Sequence, residues 1–400
     1  MAIIELKNSG YILVFGGTGF IGRVLVWTLL KLDRKCIIVS RKTRLEEVYS
    51  SFEELWGKAS IEILTNKTKK GDLIIINGIE YSKKEDVPLL LATVLKKDRE
   101  GGRIDTIINV AGNTSGNRHE IGASILGESK FLVAFMQGLS KSGVSPKLIH
   151  LSSVAAKYPF ALEPPYEKAK RQSEEMLKQI GILDYNVYIG YAKGLGEKKM
   201  RTAAIKIWPY LSSSFLMCSI KVSVVDVERL ALYFLLLVDG LDLQINGSQK
   251  KCIDVFMSNG TINFGTMIKA LLPMELQGQA RLPHQKDRLS EFIKRVELWV
   301  KGVITEVTNP DDQFLRRIAQ FMKLAAGSGF GWFETKYNNL NFFDVKPDSE
   351  SLKVNINITS KAMFKKRNTE IPRVYFDNKR KFLYILKEMP NSKIINFILK

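Results

Sequence analysis

Three glycines spaced three apart near the amino terminus constrain this chain more than any other feature. They lie in Val14-Phe15-Gly16-Gly17-Thr18-Gly19-Phe20-Ile21-Gly22, directly behind the apolar run Tyr11-Ile12-Leu13-Val14-Phe15. The context predicts a strand that turns sharply into a helix. Gly16 permits the turn, Gly19 removes a side chain that would hold off a pyrophosphate, and Gly22 lets the new helix pack tightly on the strand. The helix start at Phe20, Ile21 and Gly22 then offers N–H groups without intrahelical partners, and the positive end of the helix dipole, to a phosphate.

A second constellation lies further along. Leu151-Ser152-Ser153-Val154 closes an apolar run, and Tyr166-Glu167-Lys168-Ala169-Lys170 opens a helical pattern, with Tyr166 thirteen residues after Ser153. Tyr166 and Lys170, four apart, share one helix face. Carbonyl/alcohol redox chemistry needs this set. The Tyr166 phenol acts as general acid or base, the Lys170 ammonium eases loss of its proton, and the Ser153 hydroxyl holds the substrate oxygen.

These motifs, with Asn109-Val110-Ala111-Gly112 between them, make residues 8–240 resemble a short-chain dehydrogenase/reductase of the extended or atypical branch. Glu174, four residues past Lys170, matches the extended branch as well. The resemblance implies an NAD(P)-binding Rossmann fold and catalytic roles for Ser153, Tyr166 and Lys170. It implies cofactor contacts at Gly16, Gly19, Phe20, Ile21, Gly22, Ser40, Arg41, Asn109, Ala111 and Gly112, and again at Tyr166 and Lys170. Two departures stand out. Where the family often has an Asn supporting a proton-relay water, alignment on Gly127 puts Ser124. The segment that usually closes over the nicotinamide with a proline reads Ile189-Gly190-Tyr191-Ala192-Lys193-Gly194 instead.

The second strand ends Ile38-Val39-Ser40-Arg41-Lys42. A carboxylate about 20 residues past the glycines would take both ribose hydroxyls and repel a 2′-phosphate. A small hydroxyl and a guanidinium stand there instead, which suits a 2′-phosphate through charge-assisted hydrogen bonds. NADP(H) is therefore the expected cofactor, with NAD(H) the alternative.

Strand and helix signals alternate through the first half. Strands are expected at Tyr11–Phe15, Cys36–Ser40, Thr106–Val110, Lys147–Leu151 and Asn186–Tyr191, and helices at Ile21–Leu32, Ser124–Lys141 and Tyr166–Gln179. This is the pattern of an α/β, doubly wound parallel sheet with right-handed crossovers. Between Arg44 and Arg103 the chain is longer than one unit requires, with a basic turn expected at Lys67–Lys70 and an apolar stretch at Leu73–Ile76. The family's acidic residue after the third strand has two candidates here, Asp72 and Glu80. The expected division is a nucleotide-binding domain over 1–240 and a smaller α+β substrate or docking region over 241–400. That second region is helical first, with a stripe of Phe292, Val296, Trp299 and Val303, and then strand-rich at Val354–Ile358 and Arg373–Phe376.

Charge narrows the partners. The formal net charge is +19, and residues 351–400 hold twelve Lys or Arg against three Asp or Glu. Such an excess suits an acidic substrate, a protein partner or an anionic membrane face. No nucleic-acid-binding motif accompanies it. Three Cys and three His, widely separated, indicate neither a disulfide framework nor a metal site. No apolar run approaches the roughly 20 residues that span a bilayer, and a cytoplasmic protein, peripheral to a membrane at most, is expected.

The leading expectation is an NADPH-dependent oxidoreductase acting on a small-molecule carbonyl or secondary alcohol. Two alternatives follow from the same resemblance. One is a non-catalytic NADPH-binding accessory subunit of a respiratory NADH dehydrogenase. The other is a nucleotide-sugar epimerase or dehydratase.

Overall fold

The computed structural model describes residues 10–112, 118–157, 165–194, 221–239, 252–279, 369–377 and 382–387, with short pieces elsewhere. Its first strand, β1 (Tyr11–Phe15), runs into helix α1 (Phe20–Lys31) and back to β2 (Cys36–Val39). The next units supply β3 (Leu73–Ile76), α4 (Asp86–Arg99), β4 (Ile104–Asn109), α5 (Arg118–Lys141), β5 (Lys147–Ser153), α6 (Pro165–Gln179) and β6 (Tyr185–Ile189). β3, β2, β1, β4, β5 and β6 lie in that order and run parallel. This is the Rossmann arrangement, with its topological switch point between β1 and β4. The central strands read as unbroken apolar runs because both faces are covered. Cys36, Ile37, Ile38 and Val39 are all fully buried. One core, with Leu25, Leu29, Phe52 and Phe234, fills one face, and a second, with Leu13, Phe15, Phe131 and Phe135, fills the other.

The long stretch after β2 resolves into two extra helices, α2 (Leu45–Trp56) and α3 (Ala59–Lys69), placed before β3. Trp56 stacks on Trp27 of α1 with ring centroids 4.8 Å apart. Buried Arg23 donates to Ser51 O at 2.8 Å and pairs with Glu54 at 2.9 Å, so α2 is bolted to α1. The expected basic turn at Lys67–Lys70 is instead the end of α3, where lysines complement the negative end of the helix dipole. Lys67 also pairs with Asp33 at 3.1 Å and Asp72 at 3.2 Å. Asp72 therefore precedes β3, at the wrong end of the strand for a nucleotide, and of the two acidic candidates only Glu80 follows it.

Residues beyond 240 continue the same sheet. β9 (Ile253–Ser258) pairs in parallel with β6, and β13 (Phe382–Leu386) with β9. β12 (Arg373–Asp377) then runs antiparallel to β13, and β11 (Leu352–Lys353) antiparallel to β12, completing ten strands. The expected boundary at residue 240 thus does not coincide with an edge of the sheet. A small second sheet is formed by β7 (Tyr191–Lys193), β8 (Lys221–Asp226) and β10 (Gly260–Asn263). Helix α7 (Val227–Asp239) is the apolar run near residue 230. Its last carbonyls, Leu237 O and Val238 O, accept from Lys147 Nζ, and its Asp239 pairs with Arg34 at 2.7 Å. Helices α8 (Phe264–Leu271) and α9 (Met274–Gln279) follow.

The strand expected at Arg373–Phe376 is β12. The aromatics of the basic tail are buried where described. Tyr375 stacks on Tyr384, and Phe376 and Phe382 join the core, because β12 and β13 are interior members of a packed sheet. Phe292, Val296, Trp299 and Val354–Ile358 lie outside the described residues. Among the described residues no helix is long and apolar enough to cross a membrane, and no cluster of metal-ligating side chains occurs.

Leu383, fully buried in β13, should report this continuity. Leu383→Ala is expected to cost about 2–5 kcal/mol and to speed hydrogen exchange at the amides of β1 and β2. Unchanged exchange there would show that the C-terminal strands unfold independently.

Candidate functional site

The site is built around the switch point, where β1 and β4 lie side by side and their following helices leave for opposite faces. Gly16 has φ +76, and a Cβ there would stand 2.7 Å from Ala111 N. The turn after β1 and the loop after β4 therefore touch backbone to backbone. Gly19 N–H donates to Gly16 O at 2.9 Å and closes the turn. A side chain at Gly22 would strike that same carbonyl, so α1 starts as near the strand as a helix can. Gly19 is the exposed N-cap of α1 and offers no capping side chain. The N–H groups of Phe20, Ile21 and Gly22 are thus left for an outside acceptor. This is the cradle a pyrophosphate requires, and the residues present fit a dinucleotide.

Ser40 and Arg41 occupy the end of β2, as expected, with different standing. Ser40 is fully buried and its Oγ accepts Lys42 N–H at 3.1 Å, so it shapes the turn. Arg41 is exposed beside it. Lys42 is spent on Glu47 O at 2.6 Å.

Asn109 ends β4 with both ends of its amide engaged. Its Oδ1 accepts Ala111 N–H at 3.1 Å, and its Nδ2 lies 3.1 Å from His150 Nδ1. Burial, reinforced by the charge of Lys170, holds His150 well below the ordinary imidazole range, so it is a neutral core residue. Asn109 and Ala111 thus fix the loop, and Gly112 leaves it open toward Lys170: a Cβ at Gly112 would sit 3.4 Å from Lys170 Nζ.

Lys170 is buried, and its Nζ donates to Leu151 O at 3.2 Å. That bond sets the level of α6 against β5. Tyr166 is one helical turn, about 5.4 Å, nearer the start of α6. Ser153 is two strand residues, about 6.6 Å, nearer the carboxyl end of β5. Ser153 is the last residue of β5, and Tyr166 is the second residue of α6. Tyr166 is half-buried against the cluster of Ile121 and Ile125 on α5 and Ala169 on α6.

A buried polar joint lies directly beneath. Glu174 accepts from Ser152 Oγ and, at 2.6 Å, from Tyr188 Oη. Asp254 of β9 pairs with Lys178 at 2.7 Å and with Lys157 at 3.1 Å. Ser153 is therefore flanked by anchors on both sides, Ser152 to α6 and Lys157 to β9. Burial pushes the Glu174 carboxyl up, against the pull of its two hydroxyl donors.

Two residues of the site escape a reading of the sequence. Glu128, on α5, is buried, and burial raises its carboxyl pKa against the charges of Lys170 and Arg41. Ser124 Oγ, at the position of the family's Asn, lies 3.4 Å from Glu128 Oε1. The available signal was a carboxylate within the buried stripe Ile125-Glu128-Ser129-Leu132. Tyr81, beyond β3, donates to Val39 O and accepts Gly16 N–H at 3.2 Å. It lay in the stretch that alternation left unassigned.

Sheet order, glycine turn and switch point define a Rossmann-type α/β fold. No protein-family model matches the chain, and no curated protein matches its sequence. Among solved structures it is similar to a short-chain type dehydrogenase/reductase from Mycobacterium ulcerans, at 14% identity and TM-score 0.46 over 62% of this chain and 88% of that one. It is similar to the Bordetella bronchiseptica enzyme WbmG in complex with NAD, at 14% identity and TM-score 0.45 over 72% and 84%. It is also similar to dTDP-glucose 4,6-dehydratase from Bacillus anthracis in complex with NAD, at 13% identity and TM-score 0.45 over 82% and 100%. At these values the likeness says nothing of chemistry, which rests on the residues themselves.

The raised Glu174 carboxyl has a consequence for stability. The folded chain holds that proton more tightly than the unfolded chain, so the stabilisation is full below the ordinary value of 4.5 and declines as pH rises through the folded value. Glu174→Gln, neutral throughout, should gain unfolding temperature relative to wild type over the pH range above the ordinary value of 4.5. A difference that stays constant over that range would refute it.

Proposed function

We propose that this chain is a nicotinamide-dinucleotide-dependent oxidoreductase acting on a carbonyl or secondary alcohol, with NADP(H) preferred. The observation that carries the reading is the position of Lys170, between Gly112 of the β4 loop and Leu151 O of β5; Tyr166 precedes it by four residues on α6, and Ser153 follows Leu151 by two on β5.

The turn residues Gly16, Gly19 and Gly22 and the N–H groups of Phe20 and Ile21 would hold the pyrophosphate. Arg41 would hold the 2′-phosphate, with Ser40 fixing the turn that presents it, and Asn109, Ala111 and Gly112 would shape the wall beside the ribose. When bound, the dinucleotide supplies or accepts the hydride. The rest is done by side chains. Ser153 donates a hydrogen bond to the substrate oxygen. In reduction Tyr166 releases its phenolic proton to that oxygen, and in oxidation it takes the proton back. Lys170 balances the negative charge left on the Tyr166 oxygen and donates to the ribose hydroxyls. The excess positive charge of residues 351–400 suits an acidic partner or an anionic membrane surface.

A second reading, a non-catalytic subunit that retains NADPH, draws on one observation. Ser124, where the family's relay Asn would stand, lies beside the Glu128 carboxyl.

Binding and turnover separate the readings. Wild type is expected to bind NADPH more tightly than NADH, and Arg41→Ala to lose about tenfold or more in NADPH affinity alone, since one charge-assisted contact is lost. Equal affinities in wild type would overturn the preference. Against a panel of carbonyls, Tyr166→Phe should lower turnover at least about a hundredfold while leaving NADPH affinity within about twofold. Full turnover in Tyr166→Phe would overturn the mechanism. Stoichiometric NADPH with no turnover by wild type would favour the subunit reading.

A further inference from the structure

We propose that Tyr81 is a positioning residue of the dinucleotide site, its hydroxyl tying the glycine turn to the end of β2 and so ordering the pyrophosphate cradle before a ligand arrives. The proposal rests on the dinucleotide-binding reading above.

The segment after β3 is stitched along the end of β2. Gly78 N–H donates to Lys42 O at 2.9 Å, and Ile79 N–H to Ser40 O at 3.0 Å. Tyr81 then donates its single hydroxyl proton to Val39 O, and its oxygen accepts Gly16 N–H at 3.2 Å. The phenol thus bridges the exits of two neighbouring strands. Its ring is held by Phe15, edge-on at 5.5 Å, and by Phe131 at 6.1 Å. Burial pushes its ionisation upward, so it remains a protonated donor at any ordinary pH.

The turn needs such a tether. Gly16, Gly17 and Gly19 fall within four residues, and glycine loses more conformational freedom on ordering than any other residue. Gly16 is pinned twice, at its carbonyl by Gly19 N–H and at its own N–H by Tyr81. The first pin belongs to the turn, and the second adds a directional hydrogen bond to the turn's backbone packing against Ala111. Without it, a half-buried N–H and a buried C=O each lose a partner, and the turn samples conformations that do not present Phe20, Ile21 and Gly22 to a phosphate. Binding must then order the turn, and affinity falls by the fraction of competent turns. The same hydroxyl grips Val39, one residue before Ser40 and two before Arg41. Both ends of the site lean on one oxygen, but the pyrophosphate is common to both dinucleotides. The loss should therefore fall on NADPH and NADH alike.

The full chain would be tested with NADPH and NADH as probes, by calorimetric titration, thermal unfolding and hydrogen exchange. Tyr81→Phe keeps the ring and removes only the oxygen. It is expected to weaken both dinucleotides about tenfold, to leave the NADPH/NADH ratio within about twofold of wild type, and to speed exchange at residues 16–19 without ligand. Arg41→Ala, by contrast, loses NADPH selectively. Phe135→Leu disturbs the same core through its edge-on contact with Phe15 at 5.7 Å and leaves the Tyr81 ring its Phe15 and Phe131 neighbours; it should lower the unfolding temperature while leaving both affinities within about twofold. Wild-type affinities in Tyr81→Phe would overturn the proposal, and so would an equal loss of affinity in Phe135→Leu. A wild type that binds neither dinucleotide would overturn the dinucleotide reading itself, and this proposal with it.

Discussion

The architecture at the crevice depends on one close approach, the contact between the turn after β1 and the loop after β4. Gly16 meets Ala111 so nearly that a single added carbon would stand 2.7 Å from the Ala111 nitrogen. Because the two backbones touch, the start of α1 is brought against the end of β4. Because Asn109 braces that loop from below, Gly112 is held against Lys170. The cradle at one end of the crevice and the ammonium at the other are therefore set by the same packing. A bulkier residue on either side would separate them and move α1 with them.

Polar groups beneath the crevice are unusually concentrated for a sheet interior. Ser152, Glu174, Tyr188, Asp254, Lys157 and Lys178 join β5, α6, β6 and β9 in one network. Burying such groups costs desolvation energy that an apolar filling would avoid. What the polar joint provides is direction. Hydrogen bonds have preferred angles and partners, whereas dispersion contacts tolerate sliding. The joint fixes the level of α6, which carries Tyr166 and Lys170, against β5, which ends at Ser153. Glu128, on α5 where that helix packs against α6, adds a second buried carboxyl that feels the charges of Lys170 and Arg41.

The sequence by itself determined the order of elements in the first half of the chain, from the glycine turn through the Tyr166/Lys170 helix. These features were legible because they are local. A turn that needs glycine, a strand buried on both faces and a four-residue helix spacing each leave a mark within a few positions, and the strands at Tyr11–Phe15 and Lys147–Leu151 stand where their apolar runs place them. Only the tertiary structure decided the rest, because the remaining features depend on residues far apart in sequence. α2 and α3 are polar and amphipathic enough to be mistaken for loop, and become helices by packing Phe52 and Trp56 against α1. The strand at Arg373–Phe376 was legible but its place was not: β13 continues the parallel sheet because β9 leaves an edge for it to fill, and β12 adds antiparallel to β13. Tyr81 acquires its role only when the third strand lies beside the second and its hydroxyl falls between Val39 O and Gly16 N–H. A hydrogen bond between residues 65 positions apart has no periodicity to betray it, and folding alone puts its two ends in the same place.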